Sequence, residues 1–238
     1  MPTQRPTPGL PLPAQGDLST SISSHLTSKH LPPTQAWLTS FVPTIRATTP
    51  LPALQKTALF RLLATDLTTS IKTSPSSTLP TNIADPAIQE LRLPGPIPVQ
   101  ILDIEDVGRS RWSQLEALEA AERGETRRGH EVIRVIPEEG TVPASASSAS
   151  TGPHKLLLQD AKGTKVFAFE LRDVSGVSVA MGIGAKLVLT GMLVARGVIM
   201  LDPDSVDVLG GKVEAWDKKW RDERKAKLKE RAGVVEVG

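Results

Sequence analysis

The chain of 238 residues contains no cysteine. This absence excludes a disulfide framework, a thiolate zinc site and a cysteine nucleophile, and it fits a reducing intracellular compartment. Tyrosine is also absent, and four Phe and four Trp supply the aromatic side chains. The hydrophobic core must therefore be built mainly from aliphatic residues.

Long hydrophobic runs and a strong charge of one sign are lacking as well. The apolar stretch 177–201 is interrupted by Lys186 and Arg196, so its pieces are shorter than the roughly 20 residues of a membrane-spanning helix, and we interpret them as strands. The prolines of "MPTQRPTPGLPLPAQG" interrupt the apolar run that a signal peptide needs, so no secretion signal is expected. A net charge of +2 means that a nucleic-acid partner would be held by local patches.

Patterns that carry catalysis or bind metals are missing too. His25, His30, His130 and His154 show no metal-ligand spacing, and we interpret them as surface histidines. No serine is framed as GxSxG, and "GIGAK" lacks the Ser or Thr that a phosphate loop places after its lysine. The sequence therefore predicts a protein that is not an enzyme and uses no cofactor or metal.

The first third of the chain is predicted to be helical after a proline-rich tail. Residues 1–16 carry five prolines and are expected to be disordered. Residues 17–72 are predicted to form a three-helix bundle, because apolar residues recur there at helical spacing. The three apolar stripes are Leu18, Ile22 and Leu26; Trp37, Leu38, Phe41 and Val42; and Leu59, Leu62, Leu63, Leu67 and Ile71.

Residues 73–95 are predicted to be a linker, after which the apolar period changes to that of strands. Five strands are predicted, at "PIPVQILDIEDV", "HKLLLQD", "KVFAFEL", "AKLVLTG" and "VARGVIML". Five strands with glycine at the bends are typical of a Greek-key barrel of the OB type. The predicted fold is therefore α+β, with the helical bundle, a five-stranded OB-fold barrel at 96–211, and a C-terminal helix and tail at 212–238.

The aromatic residues of the barrel bear on nucleic-acid binding. Phe167, Phe169 and Leu171 alternate in "KVFAFEL", and we expect their shared face to point into the barrel. An OB barrel that binds single strands needs exposed aromatic platforms beside a basic groove. With its aromatic face expected inside, the barrel does not meet this requirement, so a stand-alone single-stranded DNA-binding protein is kept only as the alternative hypothesis. An unrecognised enzyme is the third hypothesis.

A long insertion, 109–153, separates strands 1 and 2 of the predicted barrel. Connections of this length are typically functional or disordered. Trp112, Leu115 and Leu118 share one face of a predicted helix and are expected to anchor the insertion on the barrel mouth. A short apolar segment follows, which could contact a partner, or could instead pair as an extra edge strand or cover the end of the barrel. The Ser/Ala-rich stretch after it is expected to be a flexible return path.

Five segments carry a family resemblance: "PPTQAWL", "FRLLATDL", "VQILDIEDVGRSRWSQL", "GAKLVLTG" and "GVIMLDPDSVDVLGGKVEAW". They resemble the RecQ-mediated genome instability family, whose members are OB-fold subunits of the complex of RecQ helicase with topoisomerase III. The last segment is the most specific, because a strand, a proline-containing turn and a helix follow one another there. The chain is identified as a short, fungal-type member without the second OB module of animal relatives.

The resemblance implies a nuclear, non-catalytic subunit that binds topoisomerase III and a RecQ-family helicase. In that family the insertion docks near the topoisomerase gate and influences its opening, and the complex dissolves double Holliday junctions. The resemblance therefore favours partner contact for the insertion, with DNA bound weakly or through the complex, and with no membrane or small-molecule substrate. The residues assigned to partner binding are Arg127, Arg128, Val132, Ile133, Arg134, Val135, Ile136 and Pro137.

Overall fold

The computed structural model describes residues 15–45, 49–128, 131–134 and 152–233, with backbone alone at 15–16, 125–128 and 131–134. The predicted tail before residue 15 lies outside the described residues, as do Val135, Ile136 and Pro137 of the insertion. Within these ranges the chain forms an N-terminal group of helices, a curled sheet, and two further helices. The predicted α+β class is therefore confirmed.

Four α-helices make up the N-terminal helical unit. They are α1 (Gln15–Ser28), α2 (Gln35–Phe41), α3 (Leu51–Leu63) and α4 (Leu67–Ser70), with a 3-10 turn at Val42–Thr44. Thr34 begins α2 by accepting a hydrogen bond from the Trp37 amide, as an N-cap residue does. The predicted apolar stripes meet in one core, which includes Ile22, Leu26, Leu38, Phe41, Leu62 and Leu67.

The third predicted helix is two helices in the structure. Helix α3 ends at Leu63, and the side chain of Asp66 accepts a hydrogen bond from the Thr68 amide to begin α4. Leu67 and Ile71 nevertheless lie in the same core as the α3 residues, so the apolar spacing continues across the break. The prediction of three helices is therefore wrong by one, because the capping aspartate starts a new helix that spacing does not reveal.

Ten strands are described, and eight of them form one sheet. They are β1 (Glu90–Leu93), β2 (Ile97–Asp106), β3 (Glu125–Arg128), β4 (Glu131–Arg134), β5 (His154–Asp160), β6 (Lys165–Glu170), β7 (Lys186–Leu189), β8 (Met192–Ala195), β9 (Val198–Leu201) and β10 (Val206–Gly210). The sheet order is β1-β8-β9-β6-β5-β2-β7-β10. Only Thr190 and Gly191 separate β7 from β8, which lie near opposite ends of that order. The sheet therefore closes on itself, with β6 parallel to β9 as in an OB barrel.

This sheet corrects the predicted count of five strands. "VARGVIML" contains the end of β8, a two-residue turn and β9, because Arg196 and Gly197 both have positive φ, 51° and 79°. Positive φ at both central residues is the geometry of a tight hairpin turn. The prediction also lacks β1 and β10, which extend the sheet by pairing with β8 and β7.

The segment predicted as a linker, 73–95, packs against the barrel instead of spanning a gap. Leu79 and Ile83 are buried in the barrel core, and the Leu79 amide donates a hydrogen bond to the buried carboxylate of Asp160 at 2.8 Å. The segment ends in β1, which is part of the sheet. Its polar composition hides this role, because only Leu79 and Ile83 are buried in the core, and Leu91 and Leu93 pack against it partly exposed.

Phe167, Phe169 and Leu171 face outward, contrary to the prediction. Phe167 is 47% exposed and Leu171 is 60% exposed, whereas Val166 and Ala168, on either side of Phe167, are buried. A small barrel has little interior volume, so the smaller side chains of this strand fill it. Alternation alone separates the two faces of a strand without deciding which one is inside.

Gln100 on β2 connects the barrel to the helical unit. Its Oε1 accepts a hydrogen bond from the Leu67 amide at 2.9 Å, and its Nε2 donates to Asp66 at 2.8 Å and to Gln159 at 3.0 Å. Gln100 is fully buried, so these bonds replace those that it would make to water. The start of α4 is therefore held against the first half of β2.

Lys186 on β7 lies beside this junction, opposite Gln100 in the strand register. The side chain is buried, and its ammonium donates a hydrogen bond to the Gly184 carbonyl at 2.6 Å. Burial lowers the pKa of Lys186 to about 8, and the negative charge of Asp66 acts in the opposite direction. Folding thus takes a cation away from water at this point.

Two further helices, α5 (Arg111–Glu122) and α6 (Glu214–Arg231), pack together beside the barrel. Trp220 of α6 is buried, and its indole Nε1 donates to Asp103 of β2 at 2.6 Å. Asp217, one turn earlier, accepts a hydrogen bond from the Ile183 amide at 3.0 Å. Helix α6 is therefore attached to two parts of the barrel.

Substitutions at two adjacent glycines, Gly210 and Gly211, can test how closely the helical unit packs on the barrel. Gly211 has a φ of +86°, and a Cβ there would lie 2.6 Å from the Leu63 carbonyl oxygen, whereas Gly210 has a φ of +75° and no atom within 4 Å. We expect Gly210→Ala to lower the free energy of unfolding by about 1 to 2 kcal/mol through its backbone conformation alone. Gly211→Ala should cost about 2 kcal/mol more, because the backbone of α3 must shift. Urea denaturation of both variants measures this difference, and equal losses would contradict the close contact.

The buried lysine predicts a specific pH dependence of stability. Between the folded pKa of about 8 and the usual value near 10.4, the unfolded chain binds more protons than the folded chain, so stability rises with pH. From pH 8 to 10 we expect a rise of about 2 kcal/mol in the wild type relative to Lys186→Met, which has no charge to lose. Urea denaturation across this range tests it, and parallel curves for the two proteins would contradict it.

Candidate partner-binding site in the insertion

The insertion leaves and re-enters the barrel through a narrow stem. The Val107 amide donates a hydrogen bond to the Pro153 carbonyl at 3.0 Å, and Gly108 lies against Gly152. A Cβ at Gly108 would lie 2.2 Å from the Gly152 carbonyl oxygen, which is closer than atoms can approach. Glycine at position 108 therefore allows the two ends of the insertion to touch.

A buried carboxylate lies beneath the stem. Glu170 Oε2 is 2.6 Å from Nδ1 of His154 and accepts a hydrogen bond from the His154 amide at 3.0 Å. Its Oε1 accepts a hydrogen bond from the Val174 amide at 2.8 Å. Both side chains are buried, so His154 is not the surface histidine that the sequence suggested. The contact fixes the first residue of β5, immediately after the stem.

Sequence reasoning missed this contact. His154 and Glu170 are 16 residues apart and become neighbours only when β5 pairs with β6. The available signal is that the inward positions next to both residues in their strands are apolar, Leu156 and Leu158 in β5 and Val166 and Ala168 in β6. Two polar residues at inward positions of paired strands indicate a buried hydrogen bond.

Helix α5 begins the insertion, and its first turn is tied to the end of β2. Ser110 accepts a hydrogen bond from the Ser113 amide at 3.1 Å and so caps the helix. The Gln114 amide group donates to the carbonyls of Asp106 and Arg109 at 2.9 and 3.0 Å. The direction in which α5 leaves the barrel is therefore fixed by hydrogen bonds.

The three predicted anchor residues differ in position. Leu115 is buried and Leu118 is half-buried, but Trp112 is 62% exposed. Trp112 therefore does not pack as predicted, because the buried face of α5 is centred on Gln114 and Leu115. An exposed tryptophan on a fixed helix is a residue type that often dominates protein contacts.

Ion pairs join α5 and the end of β2 to α6. Lys225 of α6 lies 2.6 Å from Glu122 at the end of α5. Arg111 of α5 and Arg231 of α6 share Glu105, at 3.3 and 3.4 Å. Such partly exposed pairs contribute little stability individually, but together they restrict how α5 can move relative to α6.

Helix α5 continues into a hairpin of β3 and β4, in which Glu125 lies opposite Arg134 and Arg128 opposite Glu131. In the described part of the chain, neither strand pairs with the eight-stranded sheet. The described part of the segment is thus not an extra edge strand of the barrel, which is one of the two alternatives to partner contact. The predicted partner-binding residues that fall on this hairpin are Arg127, Arg128, Val132, Ile133 and Arg134.

Two features of the insertion could contact another protein. Trp112 is exposed on α5 at the base of the insertion, and the outer edges of the β3–β4 hairpin have no strand partner among the described residues. Such edges are available for pairing with another chain. In the same described ranges, no group of three or more His, Asp or Glu could hold a metal ion. None of the helices that the structure describes has the length and apolar character needed to cross a membrane.

The architecture defines a class of protein, an OB-fold barrel preceded by a small helical unit and interrupted after its first long strand. Residues 79–224 match the family described as "RMI1, N-terminal OB-fold domain", and residues 26–70 match "RMI1, N-terminal helical domain". The chain belongs to the RMI1 family. The family predicted from sequence segments and the OB fold are thereby confirmed.

Two individual proteins agree with this assignment. The chain is 29% identical over 142 residues to RecQ-mediated genome instability protein 1 of Schizosaccharomyces pombe, covering 54% of this chain and 60% of that protein. It is 32% identical over 139 residues to the protein of the same name from Xenopus laevis, covering 58% of this chain and 23% of that protein. The chain thus spans less than two thirds of either relative.

The close contact in the stem predicts that one methyl group added at position 108 disturbs the stem locally. Gly108→Ala should push Gly152 away and break the hydrogen bond from Val107 to Pro153, with a loss of about 2 kcal/mol in unfolding free energy. Hydrogen exchange of the Val107 amide should therefore accelerate. The control is Gly163→Ala in the β5–β6 turn, where φ is +94° but the nearest atom to a Cβ lies 3.9 Å away. Equal exchange of Val107 in both variants would show that the glycine contact does not hold the stem.

Proposed function

We propose that the chain is a non-catalytic subunit that acts in genome maintenance in a RecQ pathway through contacts with other proteins. Family membership and the names of the two relatives support the pathway. The stem is the observation that supports a role in contacting other proteins. There the two ends of the insertion touch at Gly108 and Gly152, above the buried side chain of Glu170. A long loop held by a rigid scaffold is a common way to present binding residues.

The proposed partner of the insertion is topoisomerase III, with a RecQ-family helicase as the second partner. The insertion lies near the DNA gate of the topoisomerase in this proposal and modulates its opening. The complex then promotes dissolution of double Holliday junctions and decatenation in the nucleus. The sequence resemblance supports these partners, and the outer edges of β3 and β4, which have no strand partner among the described residues, give the insertion a surface for them.

Replacement of the insertion tests the proposal. Residues 125–151 are replaced by a short Gly/Ser linker, so that α5, Gly152 and Pro153 keep the stem intact. A second variant changes Val132, Ile133, Val135 and Ile136 to Ser. We expect both to lose co-purification with topoisomerase III and stimulation of its strand passage, with more than a tenfold loss of affinity from the apolar anchors.

The matched control changes the Ser/Ala-rich residues 144–150 to Gly/Ser of the same length, which should leave binding unchanged. Urea denaturation confirms that each variant keeps the stability of its barrel. Undiminished complex formation and strand passage after replacement of 125–151 would overturn the role of the insertion. Turnover of a substrate by the isolated chain would overturn the non-catalytic assignment.

A further inference from the structure

Strand β1 forms one end of the eight-stranded sheet, and its outer edge has no strand partner among the described residues. On its other side it pairs with β8, from Glu90 opposite Ala195 to Leu93 opposite Met192. The strand at the opposite end of the sheet, β10, differs because its Leu209 packs against the core of the helical unit. The edge of β1 is therefore the end of the sheet that is open to another strand.

The pairing with β8 shows which backbone groups of β1 point to the open edge. The Gly191 amide donates a hydrogen bond to the Pro94 carbonyl at 2.8 Å, one step beyond the last register pair. Hydrogen-bonded positions alternate along an antiparallel strand, so every second residue before Pro94 also directs its backbone groups at β8. The N–H and C=O groups of Leu91 and Leu93, which lie between these positions, therefore point outward. Within the described ranges, none of the backbone hydrogen bonds outside the regular strands uses them.

The side chains of β1 alternate between two faces. Leu91 and Leu93 pack against the barrel core, whereas Glu90 and Arg92 are exposed. The Arg92 Nε lies 3.3 Å from a carboxylate oxygen of Glu90, and both side chains are largely in solvent. Such a pair adds little to the stability of a single chain. Its two opposite charges can instead select the strand that pairs with this edge, because opposed side chains of paired strands interact.

We propose that the edge of β1 pairs with the same edge of a second copy of this chain, antiparallel and centred on Leu91. The two-fold axis of such a dimer places Glu90 of each copy opposite Arg92 of the other, because these residues lie one position before and one position after the centre. Leu91 then exchanges both backbone hydrogen bonds with Leu91 of the second copy. The charged residues occupy the next positions, where opposed side chains come closest. This association is independent of the partner contact proposed for the insertion.

The alternation of charge also selects the register. Centring the pairing on Glu90 would oppose two carboxylates, and centring it on Arg92 would oppose two guanidinium groups. Like charges directly opposite each other destabilise a strand pair. A strand of another protein could use the same backbone edge, but its charges would have to match through its own sequence. A second copy matches by symmetry, which is why we assign the edge to it.

Sedimentation velocity of the full chain over a range of concentrations tests the proposal. A four-residue strand buries little surface, so we expect a weak dimer, with a dissociation constant of about 0.01 to 1 mM. Glu90→Arg opposes arginines, and Arg92→Glu opposes carboxylates, at two places in each dimer. Each variant should therefore weaken self-association at least about tenfold. Urea denaturation should give both variants the stability of the wild type, since the exposed pair contributes little.

Mixing the two variants provides the sharpest comparison. In a mixed dimer every opposed pair is again one of each sign, so the mixture should associate as tightly as the wild type. The double variant Glu90→Arg/Arg92→Glu should also self-associate like the wild type, for the same reason. The matched controls, Glu214→Arg and Lys219→Glu, reverse charges at exposed positions of α6 and should leave self-association unchanged.

Three outcomes would overturn the proposal. One is a wild type that stays monomeric up to about 1 mM. Another is a mixture that associates no more tightly than either variant alone, since opposed charges on β1 would then not hold the dimer. The third is loss of self-association when 125–151 is replaced by the Gly/Ser linker, which would assign the contact to the hairpin of β3 and β4. Binding of topoisomerase III is measured separately, so this proposal and the role of the insertion can fail independently.

Discussion

The architecture around the insertion depends on one buried carboxylate, that of Glu170. Its two oxygens accept hydrogen bonds from the amides of His154 and Val174 and contact the His154 ring. These bonds join the start of β5, the end of β6 and the segment that follows β6. A carboxylate without such donors would be very costly in a core of aliphatic residues, so the three segments are held in one arrangement. Gly152 lies directly above, where a Cβ would be 2.7 Å from Glu170 Oε2.

Strand β2 connects this part of the barrel to the helical unit and to the insertion. Gln100 in its first half binds the start of α4, and Asp106 at its end accepts, through its carbonyl, a hydrogen bond from Gln114 of α5. Six residues of strand place these points about 20 Å apart. The helical unit therefore attaches to the first half of β2, and the insertion attaches to its end. A partner held by the insertion would leave the helical unit free for a second contact.

The sequence predicts those features that depend on local periodicity. The apolar stripes of the helical unit, the long strand β2 and the position of the insertion all follow from spacing and length. Features that depend on a neighbour in space do not. The cap of Asp66 divides one stripe into two helices, and the pairing of His154 with Glu170 requires β5 and β6 to be already aligned. The outward position of Phe167 is decided by interior volume, which no single strand reveals.

The stem of the insertion and the start of β5 share one stretch of backbone. His154 follows Pro153 of the stem directly, and Lys155 comes next in β5. The ring of His154 is buried and the Lys155 side chain points to the other face of β5, so the same backbone sets the orientation of the stem and of both faces of this strand. Because Glu170 holds the point where the stem meets β5, it would determine the direction in which the insertion leaves the barrel.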